Sequence, residues 1–268
     1  MSRIRRNGRV ALRRPVAARF AVAVRSAAAA VQVAVAVALI ALVSGCGSDT
    51  ADGPLRCGIV VDVSASVTAD QRARYLDEAA KALRGCAGGH AYVDVADANA
   101  RAGRCPPVDM TLAAPVRRNN DLFDTAAEDA QVDTALAATT ALVNCAAARP
   151  ATATDLFGAF VLAGTSLRAE PAGRRELTVF SDGISTRQPY DLSARELDDA
   201  DIEALLNSLA AHGLQADLTG VDVRFVGAGV GVDELDPSRL GRVEAAWRAY
   251  VRRAGGTVSH YAKTLGGT

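Results

Sequence analysis

Cys57-Gly58-Ile59-Val60-Val61-Asp62-Val63-Ser64-Ala65-Ser66 is the stretch that decides the fold of this 268-residue chain. Ile59 to Val63 is a short apolar run rich in β-branched residues, the composition of a strand buried on both faces of a parallel sheet. It delivers a carboxylate and two hydroxyls into the turn that follows. Asp62, Ser64 and Ser66 alternate, so in an extended chain they lean to one side and offer a divalent cation three hard oxygen donors. A strand end running into a serine-rich helix cap would use the same residues, and two later stretches bear on the choice. Ala151-Thr152-Ala153-Thr154-Asp155-Leu156 opens a helix with a Thr-Asp pair, and Leu177-Thr178-Val179-Phe180-Ser181-Asp182-Gly183 is a second β-rich run ending in Ser-Asp-Gly.

Asp-x-Ser-x-Ser at the end of a first strand, followed in order by Thr154 and Asp182, resembles the metal-ion-dependent adhesion site of von Willebrand factor type A (vWA) domains. The resemblance extends from about Leu55 to Tyr261. It implies a doubly wound α/β fold with a mostly parallel six-stranded sheet in the order 3-2-1-4-5-6. It also implies that Ser64 and Ser66 bind the cation directly, that Thr154 joins when ligand is engaged, and that Asp62 and Asp182 act largely through water. Mg2+ is the expected ion, with Mn2+ or Ca2+ suiting the same donors. An acidic side chain of a partner protein would fill the remaining coordination position. The chain departs from the family in one place: Ala153 stands where a glycine usually precedes the Thr, which would tilt the loop if that position needs a positive φ.

Other elements follow from local pattern. Thr68 can cap a helix with Tyr75, Leu76, Ala79, Ala82 and Leu83 on its apolar face, ended by Gly85. His90 to Val95 and Val108 to Leu112 read as strands. The link between them carries no helical pattern, so they form an antiparallel hairpin that places strand 3 at a sheet edge. A long Ala-rich helix spans 121–148, with Leu122, Ala126, Ala130, Val132, Leu136 and Leu142 in its pattern, and Arg149-Pro150 closes it. A helix from Thr154-Asp155 through Leu162 would pack Leu156, Phe157, Phe160 and Val161 inward. The strand Leu177–Phe180 leads to a polar loop at 184–193 and a helix at about 195–212. Val221–Val226, a helix at about 238–254 and a short strand from Thr257 to His260 complete an alternation of strands and helices, which gives a doubly wound sheet with helices on both faces.

The N-terminal segment carries eight Arg and no acidic residue, then an apolar run from Ala27 to Val43. Leu42-Val43-Ser44-Gly45-Cys46 resembles a bacterial lipobox, which makes residues 1–45 a lipoprotein signal peptide and Cys46 the site of lipidation, including palmitate. An ordinary membrane-spanning helix is the other reading of that run; its length and small-residue ending suit a signal peptide better. Residues 46–54 then form the lipidated Cys and a polar tether, and 55–268 one vWA-like domain. The Arg pairs leave Sec and Tat export both open.

Without residues 1–45, 22 basic residues face 30 acidic ones, a net charge of −8. That balance disfavours nucleic acid as a partner. Lys81 and Lys263 are the only lysines, and Ala is abundant, a composition that suggests a high-GC, actinobacterial source. Cys57, Cys86, Cys105 and Cys145 are an even set in an exported chain, the setting of two disulfides. In the sheet order that the resemblance implies, Cys57 and Cys86 fall at the face opposite the metal loops. Cys105 and Cys145 fall at the metal face, so the implied pairing is Cys57–Cys86 and Cys105–Cys145.

Gly227-Ala228-Gly229-Val230-Gly231 lacks the full nucleotide-binding fingerprint and reads as a tight strand exit. The acidic cluster Asp198, Asp199, Asp201 and Glu203 begins a helix, where negative charge is stabilising without a ligand. Trp247 and Tyr250 read as core. No nucleophile-base motif is present, so the expected function is non-enzymatic: an extracytoplasmic module, lipid-anchored to the cell membrane, that engages an acidic group of a protein through the cation. A metal-independent scaffold of an envelope complex is the alternative, and a metal-assisted hydrolase a more distant one.

Overall fold

The computed structural model describes residues 53–103, 105–112, 121–149, 151–169, 173–193, 197–232 and 236–264. The expected signal peptide and the expected lipidation site at Cys46 lie outside them, as does most of the tether. Among the described residues no helix is long and apolar enough to cross a membrane.

Chain order gives β1 (Arg56–Asp62), α1 (Ala69–Gly85), β2 (His90–Ala96), β3 (Val108–Thr111), α2 (Asp121–Ala147), α3 (Leu156–Arg168), β4 (Arg175–Phe180), α4 (Asp199–Ala211), β5 (Val221–Val226), α5 (Pro237–Arg253) and β6 (Thr257–Ala262). The six strands make one sheet in the order β3-β2-β1-β4-β5-β6. Only β3 runs antiparallel, against β2; all other pairings are parallel. This is the doubly wound arrangement that the resemblance implied.

β1 is central and every one of its residues is buried, which is why its sequence shows an unbroken apolar run rather than alternation. One core lies between the sheet and α3, α4 and α5, around Phe157, Phe160, Phe225, Trp247 and Tyr250. The other lies under α1 and α2, around Ile59, Val61, Leu83 and Leu142. Phe157 and Phe160 both stack on Trp247, at centroid distances of 4.7 and 5.1 Å, so the aromatic pair on α5 is core as expected.

α1 opens with a capping box: the Gln71 backbone N–H donates to Thr68 Oγ1, and the Thr68 backbone N–H donates to the Gln71 side chain. Disulfides join Cys57 to Cys86 and Cys105 to Cys145, the pairing the resemblance implied. The first ties the start of β1 to the end of α1, and the second ties the segment after β2 to the last turns of α2.

Local pattern misplaced several details. Ala126 and Ala130 of α2 are exposed; its buried stripe is Val132, Ala135, Thr139, Leu142, Val143 and Ala146, and an alanine-rich helix carries too little apolar contrast for its inner face to be read from sequence. α3 runs on to Arg168, and Val161 and Leu162 are only half-buried. α4 begins at Asp199 because Asp198 is its N-cap and accepts from the Asp201 backbone N–H at 2.8 Å. The loop at 184–193 is not a solvated one: Ile184, Ser185, Tyr190 and Leu192 are buried.

Candidate metal centre

The carboxyl ends of β1 and β4, adjacent parallel strands, define the place where the chain order reverses and where open α/β sheets bind ligands. Val61 pairs with Phe180 in register, so the next residues on each strand, Asp62 and Ser181, leave the sheet side by side. The Ser181 hydroxyl donates to Asp62 Oδ2 at 2.8 Å, and the Ser64 backbone N–H donates to Asp62 Oδ1 at 2.9 Å. Asp62 is fully buried.

The expected alternation of Asp62, Ser64 and Ser66 along an extended chain does not persist. Backbone extension ends at Asp62, and a turn closed by the Val67 N–H on the Ser64 carbonyl follows. The turn nevertheless brings the Ser64 and Ser66 hydroxyls to 3.0 Å from each other. Ser64 is buried and Ser66 is exposed, so the pair leads from the interior to the surface. The Ala65 N–H donates to the Ala151 carbonyl at 3.0 Å, joining this turn to the loop that carries Thr154.

Thr154 is buried and held by its backbone. Its N–H donates to Thr186 Oγ1 at 2.8 Å, and its carbonyl accepts from Ser185 Oγ and from the N–H groups of Thr186 and Arg187. Asp155, also buried, caps α3 by accepting from the Gly158 N–H at 2.9 Å, and it pairs with the Arg187 guanidinium. A Cβ at Gly158 would lie 2.3 Å from Asp155 Oδ2, so the cap requires glycine there.

Asp182 follows Ser181 and precedes Gly183, whose φ of +85° turns the chain away from the sheet. Asp182 Oδ1 accepts from the Ile184 N–H at 2.7 Å, and its carbonyl accepts from the Gly229 N–H. The Gly183 carbonyl accepts from Trp247 Nε1 at 2.7 Å, which anchors the loop to α5.

Burial pushes the Asp182 carboxyl up to about 7, and the neighbouring Asp62 charge adds to the shift. Asp62 is likewise raised by burial, against the hydrogen bonds from Ser64 and Ser181. Tyr75, from α1, is raised first by burial and then by the charges of these same two carboxylates. Among the described residues no ion pair reaches Asp62 or Asp182. Two neighbouring buried carboxylates without a counter-charge are costly, and a divalent cation relieves that cost. The donor set therefore suits a hard cation: carboxylate oxygens and hydroxyls, with no three His, Cys, Asp or Glu side chains gathered anywhere among the described residues.

Sequence reasoning singled out Asp182 but missed Ser181 as the donor to Asp62, although both stood in the same Ser-Asp-Gly run. It also missed Ser185, Thr186 and Arg187. Their role is set by contacts across 31 and 32 residues, and no local pattern signals it. The backbone N–H groups of Gly227, Ala228, Gly229 and Val230 all donate within the protein, so that stretch is a strand exit and not a phosphate cradle.

No family model and no curated protein matches the chain. Among solved structures, it is similar to an aerotolerance-related membrane protein from Bacteroides fragilis carrying multiple mutations to serine, at 15% identity and a TM-score of 0.38, over 78% of this chain and 92% of that one. BatB from Bacteroides thetaiotaomicron matches at 11% identity and 0.41, over 78% and 91%. A mutant of the PilB minor pilin from Streptococcus sanguinis matches at 14% identity and 0.44, over 80% of this chain and 58% of that one.

Proposed function

We propose that this domain is a binding module that holds a divalent cation, Mg2+ foremost, through Asp62, Ser64, Ser66, Thr154 and Asp182 and uses it to engage an acidic group of a protein partner. The observation that carries this reading is the pairing of Asp62 and Asp182: burial raises the proton affinity of both carboxylates, the Asp62 charge adds to the shift at Asp182, and no cationic side chain among the described residues pairs with either. Such an arrangement opposes folding unless a ligand repays it. The bound cation would supply an electrophilic site to which a carboxylate can bind.

This chain's own residues do the rest. Asp62 and Asp182 provide negative charge from the interior, held by Ser181, by the Ser64 N–H and by the Ile184 N–H. Ser66 is the exposed member of the set and lies where a partner arrives. Lipidation at Cys46, with palmitate among its acyl chains, would hold the module at the extracytoplasmic face of the cell membrane. Presentation at an envelope surface suits a module with a net charge of −8 better than nucleic-acid binding does.

Calorimetric titration of the purified chain with Mg2+, Mn2+ and Ca2+, beside an Asp62→Ala/Asp182→Ala double variant, tests the reading. Binding by the wild type alone supports it. Equal behaviour of the two proteins would overturn it in favour of a metal-independent scaffold in an envelope complex.

A further inference from the structure

Arg187 is absent from the expected ligand set, yet it stands at the junction of three segments that build the site. Its guanidinium pairs with the buried carboxylate of Asp155, the residue directly after Thr154, and lies 3.4 Å from Asn99 Oδ1 in the segment that leaves β2. Its own backbone N–H donates to the Thr154 carbonyl at 3.2 Å. Ser185 and Thr186 add three more hydrogen bonds to the same residue, two to its carbonyl and one from its N–H. The Asp155 N–H in turn donates to the Asp97 carbonyl at 2.7 Å.

Thr154 therefore has no independent loop. Its backbone is bound to the segment that continues from Asp182, and the Arg187–Asp155 pair closes that connection from the side-chain direction. The burial of Asp155 makes the pair consequential: removing the guanidinium leaves a carboxylate in the interior with the Gly158 N–H as its one remaining donor among the described residues. Arg187 is itself about one-quarter exposed, at 28%, so it is open to replacement without carving a cavity.

We propose that Arg187 is a positioning residue that latches the Thr154 loop to the Asp182 loop, so that both halves of the site are set as one unit before a ligand arrives. A ligand that draws on Thr154 must move residues 185–187 with it or break the latch. The pair thus regulates how readily the site accepts a ligand. The functional part of this inference rests on the cation-binding reading; the latch itself is a claim about the fold and is tested separately.

The experiment uses the full chain in four forms: wild type, Arg187→Ala, Arg187→Lys and the neutralised pair Asp155→Asn/Arg187→Gln. Two readouts are taken on each. Residue-level amide hydrogen exchange follows Thr154, Asp155, Gly158 and Thr186, with Val60 and Val179 as core controls, and Mn2+ titration gives affinity. In Arg187→Ala the first four amides should exchange at least tenfold faster while the core controls keep their rates, and Mn2+ affinity should fall by about tenfold. Arg187→Lys should recover part of both losses by restoring the charge, and the neutralised pair should recover most of the protection because no buried charge is left alone.

Unchanged exchange at Thr154 and Asp155 in Arg187→Ala would overturn the latch. Faster local exchange with undiminished Mn2+ affinity would overturn its role in positioning. If the wild type failed to bind Mn2+ while Arg187→Ala still exchanged faster, the latch would stand and the cation-binding reading would fall.

Discussion

The Ser181 hydroxyl donates to Asp62 Oδ2 across 2.8 Å, joining two residues 119 positions apart at the carboxyl ends of adjacent strands. That bond is the direct product of register. Because Val61 faces Phe180, the residues that follow emerge together, and a serine there meets a buried carboxylate. Replacing Ser181 by Ala removes one of the hydrogen bonds that favour the ionised form of Asp62 against its burial, at a cost of about 1–3 kcal/mol for a buried group left short of a partner. Urea unfolding should show that loss, and Mg2+ titration a weaker affinity; unchanged values in both would mean that the bond does not support the carboxylate.

The pH dependence has a definite sign. Asp182 is raised from 3.8 to about 7 in the folded protein, and Asp62 is raised as well. Between those values the folded state holds protons that the unfolded chain has released, so stability from these groups is fully present below about 4 and is lost as pH rises toward and through 7. Metal-free protein should unfold at lower urea as pH goes from 5 to 8. Saturating Mg2+ should flatten the trend, its affinity rising over the same interval as it displaces protons. Asp182→Asn should reduce the slope in the metal-free form, and an unaltered slope would assign the titration elsewhere.

Gly183 sits at a φ of +85°, and a Cβ there would lie 2.7 Å from the Tyr261 hydroxyl. Gly183→Ala should cost about 1–3 kcal/mol from the left-handed backbone alone and should weaken cation binding by shifting Asp182. Removing the Tyr261 hydroxyl in a Gly183→Ala/Tyr261→Phe double variant should recover only the steric share. Thermal unfolding and Mn2+ titration on the three proteins separate the two contributions.

The disulfide between Cys105 and Cys145 closes a separation of 40 residues, for which loop-closure entropy gives about 4 kcal/mol. A Cys105→Ser/Cys145→Ser variant should melt well below the wild type. The bond braces α2 and the segment after β2, neither of which carries the Asp62–Asp182 pair, so cation affinity in the folded fraction should stay within about threefold. A larger loss of affinity would show that the brace reaches the Thr154 loop.

The alternation of strands and helices, with one early hairpin, is legible in the chain alone. The β-branched apolar run from Ile59 to Val63 has the composition of a strand buried on both faces, and a link without helical pattern points to an antiparallel β2–β3 pair. The chain also offered Asp62, Ser64 and Ser66 as oxygen donors at a strand exit, and the resemblance to vWA domains added Thr154 and Asp182. Where α2 turns its buried face could not be read, since alanine suits both solvent and core.

How those donors are held follows from packing and register. Strand register set Ser181 against Asp62, the turn at Ser64 replaced alternation as the device that joins the two serines, and packing of Tyr190 and Leu192 drew the 184–193 loop inward to bind Thr154. Burial then gave Asp62 and Asp182 their raised proton affinity. Each of these depends on distances between residues far apart in the chain, and a desolvation cost exists only once the surrounding protein has excluded water.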